Sequence, residues 1–393
     1  MEIWAEVLGL ENEQISVLSS FFELGGHSLS AIALANKVSQ TFSVNLPLRQ
    51  IFSLKNVRNL ATYIVEADVI SFHTIPKIED KDCYPLSSAQ RRMYFLYAFD
   101  KLSLSYNMPG CFNLKGKIDI DRLTWSFREL VNRHESLRTQ FFVSEGEAVQ
   151  RIIDSSSFKV ELYDRSPSEI NGTFQEFMRS FNLEDEYPFR VGLITSEEET
   201  YTLLFDMHHI ISDGISREVL IRDFQMLYAG QELPELRIQY RDYAGWQQRN
   251  SKLDVMTSHR DFWLALYAEE VLALTLPYDY PRPVIRSDAG NDINFDLLAD
   301  CVVGLREFAR AQGTTVYTVL LSCYTLLMSK LSGNSDVVVG TPTSGRHHAD
   351  LEDLVGMFVN TLALRNNVSG SLRFNEYLSL VNERTLAAFD HQL

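Results

Sequence analysis

Two short stretches hold residue types that could do chemistry. The first is His208-His209-Ile210-Ile211-Ser212-Asp213-Gly214, where imidazoles that titrate near neutrality stand close to a carboxylate. Such a set can move protons in a group transfer, contribute to a metal site, or serve as satisfied core. For a bare His-His pair the core role is the default. A metal site needs more ligands at workable spacing, and the other close pair, His347-His348, falls in a stretch assigned to a different lobe. The second stretch is Gly25-Gly26-His27-Ser28. Two glycines loosen the backbone before a helix, leaving Ser28 at or beside a helix N-terminus, where partial positive charge favours an attached phosphate. The plain alternative is that Ser28 only caps its helix.

The elements that must position these residues can be read from periodicity. After Ser28, the residues Ala31, Leu34, Ala35, Val38 and Phe42 fall on one helical face, and Val57, Leu60, Ala61 and Ile64 repeat the pattern behind Asn56, a suitable N-cap. The amino-terminal segment is therefore expected to be a small helical bundle. Residues 67–82 lose periodicity and carry Pro76 and scattered charge, which predicts a linker. Beyond it, strand and helix patterns alternate, the mark of a mixed α and β domain. Leu123, Phe127, Leu130 and His134 lie on one helical face, which gives His134 a packing role. Residues 139–143 and 148–153 read as a hairpin turning at 144–147. Residues 201–210 read as a strand closing on the histidine pair. In a strand His208 and His209 point to opposite faces, so one of them enters a given site, and Gly214 lets the chain turn afterwards. Residues 316–328 are expected to form a buried core helix followed by a strand at 336–340.

Composition narrows the classes. The chain has 393 residues, 45% apolar and 22% charged, which suits two or three globular domains. Its formal charge of -16 argues against a nucleic-acid backbone or an anionic membrane as main partner. The start, Met1-Glu2-Ile3-Trp4, lacks a secretory pattern, and the apolar run at 316–328 is too short to span a bilayer, so a cytoplasmic location is expected. Cys83, Cys111, Cys301 and Cys323 are far apart and form no C-x-x-C pair; they are expected to be reduced packing residues.

The run Phe21-Phe22-Glu23-Leu24-Gly25-Gly26-His27-Ser28-Leu29 resembles the signature of peptidyl carrier proteins. That resemblance covers residues 1–66 and implies a four-helix bundle carrying 4'-phosphopantetheine on Ser28, with its thiol holding an amino acid or peptide as a thioester. The first helix begins part-way through the family pattern, which implies missing upstream sequence. His27, next to Ser28, is assigned a solvent-facing loop role rather than chemistry.

The histidine motif is similar to the H-H-x-x-x-D-G motif of condensation domains of nonribosomal peptide synthetases, which share the two-lobed fold of chloramphenicol acetyltransferase. Four further segments agree in order: Ser88-Ala89-Gln90-Arg91-Arg92-Met93-Tyr94, Arg133-His134-Glu135-Ser136-Leu137-Arg138-Thr139, Tyr240-Arg241-Asp242-Tyr243-Ala244 and Gly356-Met357-Phe358-Val359-Asn360-Thr361. This resemblance covers residues 83–393, and the end at His391-Gln392-Leu393 implies that the second lobe is C-terminally truncated. The fold class expected is α+β, a four-helix carrier followed by a two-lobed α/β domain.

Carried over, the resemblance makes His209 the histidine facing the reaction tunnel and His208 its neighbour in the motif. It makes Asp213 a structural acid paired with Arg133, with Arg138 and Arg346 as lesser choices of partner. Asn360 is a further candidate near the site, against the plain role of a polar residue ending a strand. The implied reaction is amide formation between a donor thioester on Ser28 and a downstream aminoacyl thioester, with an adenylation domain, a downstream carrier and a phosphopantetheinyl transferase as partners. His209 could act as general base or as a positioning group, and the two remain open, because an α-amine of pKa about 7.7 to 8.0 is partly neutral already. Ser87-Ser88-Ala89-Gln90 and the residues after His209 resemble domains taking an L-configured donor, and Arg217 stands where an epimerising relative has tryptophan. An inactive carrier and docking module, or an ester-forming or epimerising relative, are the competing readings.

Overall fold

The structure, a computed structural model, describes residues 1–68, 74–196, 200–250, 255–284 and 290–392; the side chains of Ser28, Leu29, Ser196 and Val255 fall outside this set. The chain divides into two compact units. One comprises residues 1–73, 254–349 and 360–393, the other residues 74–253 and 350–359.

The amino-terminal helices are α1 (Glu2–Leu8), α2 (Ser28–Phe42), α3 (Leu48–Leu54) and α4 (Val57–Glu66). Their apolar faces meet in a core containing Trp4, Phe21, Leu34, Ile51 and Leu60, with Trp4 edge-on to Phe21 at 5.0 Å. The spacing Ala31, Leu34, Ala35, Val38 marks the buried face of α2 as expected, but Phe42, at the helix end, is 49% exposed. Asn56 caps α4, its Oδ1 accepting from the Asn59 N–H at 2.9 Å.

The described part of the expected linker is largely fastened. Residues 69–73 lie outside the described residues, and from Ile75 onward the backbone is fastened. Ile75 is fully buried, its N–H donates to Asp350 at 2.9 Å, and its carbonyl accepts from Arg237. The Ile78 N–H donates to Asp242 at 2.8 Å. Single apolar residues beside Pro76 carry no period, so only tertiary structure reveals that they insert among Ile238, Tyr240, Tyr243 and Phe358.

The unit that follows contains β1 (Tyr84–Pro85), α5 (Ser88–Phe99), β2 (Gly110–Leu114), α6 (Ile120–Arg133), β3 (Thr139–Ser144), β4 (Glu147–Ile152), β5 (Val160–Asp164), α7 (Ile170–Phe177), β6 (Phe189–Ser196), β7 (Thr200–Met207), α8 (Gly214–Tyr228) and α9 (Tyr240–Asn250). A three-stranded sheet has the order β1-β4-β3 and a four-stranded sheet the order β2-β7-β6-β5, with β5 and β6 parallel. The β3–β4 hairpin pairs Ser144 with Glu147 across Glu145 and Gly146, both at positive φ (53° and 83°), a type I′ turn whose twist matches the strands. Strand β7 lies between β2 and β6, and its inward residues Leu203 and Met207 join a core with Leu130, Val191, Leu193 and Ile211. The end of β7 is thus anchored on both sides, which gives the histidine segment a rigid base.

The remaining elements belong to the first unit: α10 (Val255–Leu266), α11 (Ala299–Ala311), α12 (Val316–Ser332), the antiparallel pair β8 (Asp336–Thr343) and β9 (Asn360–Asn367), and α13 (Phe374–Asp390). The helix expected to be wholly buried is α12, and it is not. Val319, Leu321, Ser322 and Thr325 are buried, whereas Tyr317, Leu320, Tyr324, Leu327 and Leu331 form an exposed stripe. Cysteines also depart from expectation. All four are free, but Cys111, Cys301 and Cys323 are exposed, on β2, α11 and α12, and Cys83, in the loop before β1, is half-buried. Among the described residues no helix is long and apolar enough to cross a membrane.

Candidate active site

Strand β7 ends at Met207, so the two histidines do not alternate along a strand as expected. His208 makes an isolated bridge to Asn107, and residues His209–Ile211 form a single 3₁₀ turn. The reason is local. The Ile210 N–H donates to His208 Nδ1 at 3.1 Å and the Ile211 N–H to the His208 carbonyl at 3.1 Å, which curls the chain immediately after the strand. The His209 N–H donates to the Tyr106 carbonyl at 2.8 Å, fixing the turn from the other side.

The turn gives the two rings different chemistry. His208 is 4% exposed, with the rings of Tyr97 and Phe181 edge-on to it at 6.2 Å. Burial, and then the adjacent His209, push its pKa down to about 3. Its Nδ1 accepts a hydrogen bond, so the neutral ring carries its proton on Nε2. His209 is the converse. Its Nδ1 lies 2.7 Å from the Ser212 carbonyl, which can only accept, so Nδ1 is the donor, and in the neutral ring Nε2 is then the acceptor. The ring is half-buried, and Nε2 has no protein partner among the described residues.

Asp213 follows as the N-cap of α8. It is 1% exposed; Oδ1 accepts from the Ser216 N–H at 2.8 Å and lies 2.7 Å from the Ser216 hydroxyl, while Oδ2 accepts from the Phe358 N–H at 3.2 Å. The Ser216 hydroxyl in turn accepts from the Gly356 N–H at 3.0 Å. Gly214 is the first residue of α8, exposed, at ordinary φ, and a Cβ there would meet nothing within 4 Å. The sharp turn expected of it comes earlier, at His209–Ile211, and the chain runs extended through Ser212 and Asp213 into α8; what the absent side chain leaves is open space one residue from the cap.

The expected pairing of Asp213 with Arg133 is not made. Arg133 lies at the end of α6 and donates from Nε to Asp223 at 3.0 Å and from Nη1 to the Pro234 carbonyl at 2.6 Å. Asp223, fully buried, also meets His134 Nε2 at 3.1 Å and Arg222 at 2.8 Å. Burial alone would raise the Asp223 carboxyl, but the hydrogen bonds and charge of His134 and Arg222 hold it at about 2. His134 is therefore a polar partner in a buried network and not a packing residue alone. Arg138 donates to the Ile153 carbonyl at 2.8 Å, bracing the start of β3. Asn360 opens β9 in the other unit, where its Nδ2 donates to the Gln392 carbonyl at 3.0 Å. Ser28 opens α2, and His27 caps that helix, its Nδ1 accepting from the Ser30 N–H at 3.3 Å.

Five motif segments that are distant in sequence are cross-linked within one unit. The segment 355–358 is the hub: Val355 accepts from the Ser136 hydroxyl at 2.6 Å, Gly356 and Phe358 are held by Ser216 and Asp213, and Met357 accepts from the Tyr240 hydroxyl. Tyr240 also meets the Ser87 hydroxyl, the N-cap of α5, at 2.8 Å. Gly356 is packed on the Tyr240 ring so closely that a Cβ would lie 1.8 Å from it. Sequence reasoning assigned no role to Ser136, Ser216, Tyr240, Asn107 or Asp206. The spacing Asp213-x-x-Ser216 is a helix-start signal, and a carboxylate at position 206 within an apolar strand is an anomaly; both were visible signs.

Residues 80–393 match the Condensation domain family, and residues 1–64 match the Phosphopantetheine attachment site family. The chain is 43% identical over 391 residues to Tyrocidine synthase 3 of Brevibacillus parabrevis, covering 100% of this chain and 6% of that protein. To Gramicidin S synthase 2 of Brevibacillus brevis it is 41% identical over 391 residues, covering 100% of this chain and 9% of that protein. The chain thus spans under a tenth of the length of these relatives. Among solved structures, the X-domain from teicoplanin biosynthesis superposes with a TM-score of 0.74 at 24% identity, covering 81% of this chain and 73% of that one. A four-domain nonribosomal peptide synthetase bound to AMP and glycine gives 0.72 at 22% identity, covering 81% of this chain and 25% of that one. These two likenesses bear on the fold alone. The chain belongs to the condensation-domain family of nonribosomal peptide synthetases, with a phosphopantetheine-attachment domain at its amino-terminal end.

Proposed function

We propose that this chain presents an acyl or peptidyl thioester from Ser28, and that the unit containing His209 joins such a thioester to the amine of a separately carried aminoacyl group, forming an amide. The observation that carries this reading is the contact of His209 Nδ1 with the Ser212 carbonyl at 2.7 Å, which in the neutral ring leaves Nε2 as an acceptor on a half-buried side chain.

The amino-terminal residues fit the attached group. Gly25 is exposed at φ +99°, a Cβ on it would meet nothing within 4 Å, and Ser28 is the first residue of the 15-residue helix α2. A helix start reached by an open loop suits a phosphodiester. The phosphopantetheine arm, when bound, supplies a thiol that holds the acyl group as a thioester.

His209 Nε2 accepts a hydrogen bond from the N–H of the incoming amine and turns the nitrogen lone pair toward the acyl carbon. The neutral amine attacks the acyl carbon through that lone pair; as the C–N bond forms and the C–S bond breaks, the nitrogen sheds one proton, which Nε2 can receive and the departing pantetheine thiolate finally takes up. Asp213 does not touch the reactants; it holds the start of α8 and the 356–358 segment in place. The neighbours this reading requires are an adenylation domain to load Ser28, a downstream carrier to bring the amine, and a phosphopantetheinyl transferase to install the arm.

The test is intact-mass analysis of one turnover. A phosphopantetheinyl transferase transfers a pantetheine-linked L-aminoacyl group to the chain, and a loaded acceptor carrier is added. Dipeptide on the acceptor with the parent chain, and neither loading nor dipeptide with Ser28→Ala, is the expected result. Loading without dipeptide would remove the amide-forming claim and leave the carrier assignment standing.

A further inference from the structure

The His209 backbone N–H is held by the Tyr106 carbonyl, and residues 106–108 lie outside any strand. They run beside residues 207–209: the Met108 N–H donates to the Met207 carbonyl at 2.8 Å, Asn107 bridges His208, and the Tyr106 carbonyl accepts from the His209 N–H. The side chain at the centre of this run is Asn107. Its Nδ2 donates to Asp206 Oδ2 at 2.6 Å and to the Arg179 carbonyl at 3.0 Å.

Asp206 is an unusual residue to find there. It is fully buried on β7, two residues before His208, and paired in register with Arg190 on β6. Arg190 meets it only with a long ion pair. The guanidinium lies over the Phe181 ring at 3.6 Å and donates to the carbonyls of Arg179 and Ser180 at 2.7 Å, leaving Nη1 3.5 Å from the carboxylate. Burial pushes the Asp206 carboxyl up to about 6, against the hydrogen bond from Asn107 and the charge of Arg190. A buried carboxylate this poorly matched contributes little to stability where an apolar residue would pack. What it does supply is a short, directional bond to Asn107.

We propose that Asp206 and Asn107 form a clamp that sets the orientation of His209, acting through the backbone of residues 106–108, and that both are positioning residues for the acyl transfer. Asp206 fixes Asn107, and Asn107 fixes the register of residues 106–108 on residues 207–209. The Tyr106 carbonyl then holds the 3₁₀ turn in which His209 Nδ1 meets the Ser212 carbonyl. Loosening the clamp frees the turn and, with it, the tautomer that leaves Nε2 as an acceptor.

The effect on rate rests on the function proposed above; the effect on the ring does not. In single-turnover dipeptide assays with the Ser28-loaded chain, Asn107→Ala is expected to lower the transfer rate about tenfold, with half-saturation by the acceptor carrier unchanged, since a small misplacement of a positioned group costs rate and not binding. Asn107→Asp sets two carboxylates together and lowers it further. Combining Asn107→Asp with Asp206→Asn restores one donor facing one acceptor and is expected to recover most of the loss from Asn107→Asp. In parallel, ¹⁵N NMR of the histidines reads the His209 tautomer: fixed on Nδ1 in the parent, mixed in Asn107→Ala. A paired variant no better than Asn107→Asp, or a rate loss matching only the unfolded fraction, would overturn the clamp. An unchanged His209 tautomer in Asn107→Ala would do the same. If the parent forms no dipeptide, the amide-forming reading fails while the tautomer measurement still decides the clamp.

Discussion

The two helix starts that stand beside the proposed chemistry are built in opposite ways. At the start of α2, His27 caps the helix from an exposed position with a 3.3 Å bond, and Gly25, two residues before it, is open to solvent. At the start of α8, Asp213 is buried and accepts at 2.7 to 3.2 Å from donors on Ser216 and Phe358, the latter 145 residues away in sequence. The difference matches the task proposed for each. A residue that presents a tethered group to several domains must stand clear of its own fold, and its helix needs only a local cap. A residue that aims an imidazole must be fixed from several directions, and the cap beside it is tied to distant backbone.

Substitutions can break or sharpen that contrast. The largest effect is expected at the buried start. Asp213→Ala removes the cap and leaves the Phe358 N–H without its acceptor, which should cost about 3 kcal/mol in urea unfolding. A loss below about 1 kcal/mol would mean that the tie to residue 358 carries little. Next is Gly26→Ala. The exposed start rests on a rigid floor there, because a Cβ on Gly26 would lie 2.4 Å from the Phe21 ring and 2.6 Å from the Phe21 carbonyl oxygen. Backbone cannot yield as a flexible side chain would, so the carrier bundle should lose roughly 2 kcal/mol, read from its thermal transition.

A smaller effect is set by pH. His208 has its folded pKa lowered from 6.5 to about 3, so folding favours the neutral ring. Its contribution is present above pH 6.5 and declines as pH falls toward 3, because the unfolded chain takes up the proton first. Between about pH 6.5 and pH 5 the unit containing His208 should lose about 1.5 kcal/mol more stability than the His208→Gln variant does, measured by denaturant titration at each pH. Equal slopes would show that the ring is solvated. The smallest effect belongs to the exposed cap: His27→Ala should cost at most about 0.5 kcal/mol.

The sequence made the two chemical segments legible, and with them the helical character of the first 66 residues, because their signals are local: a Gly-Gly-x-Ser run before an amphipathic helix, and a dense histidine and aspartate cluster after an apolar strand. What stayed hidden depends on contacts distant in sequence. The pairing of Asp213 with the Phe358 N–H involves a backbone group that no residue type announces, and Arg133, the expected partner, is drawn away by Asp223 and the Pro234 carbonyl. The strand expected to run through both histidines stops at Met207 because the His208 ring, tucked among aromatic residues, captures the Ile210 N–H. The outward stripe of α12 was unreadable for another reason: its polar residues Thr318, Ser322 and Thr325 are the buried ones, the hydroxyls of Ser322 and Thr325 donating to carbonyls one turn back, so hydropathy points to the wrong face.

The central claim is that His209 Nε2 acts on the amine during transfer, and His209→Gln tests it most directly. Loaded on Ser28 as the parent is, and followed by intact mass through one turnover with an acceptor carrier, the variant should load fully and transfer at least about 100-fold more slowly. Transfer within about twofold of the parent rate would contradict the claim, and would place the chemistry on residues other than His209.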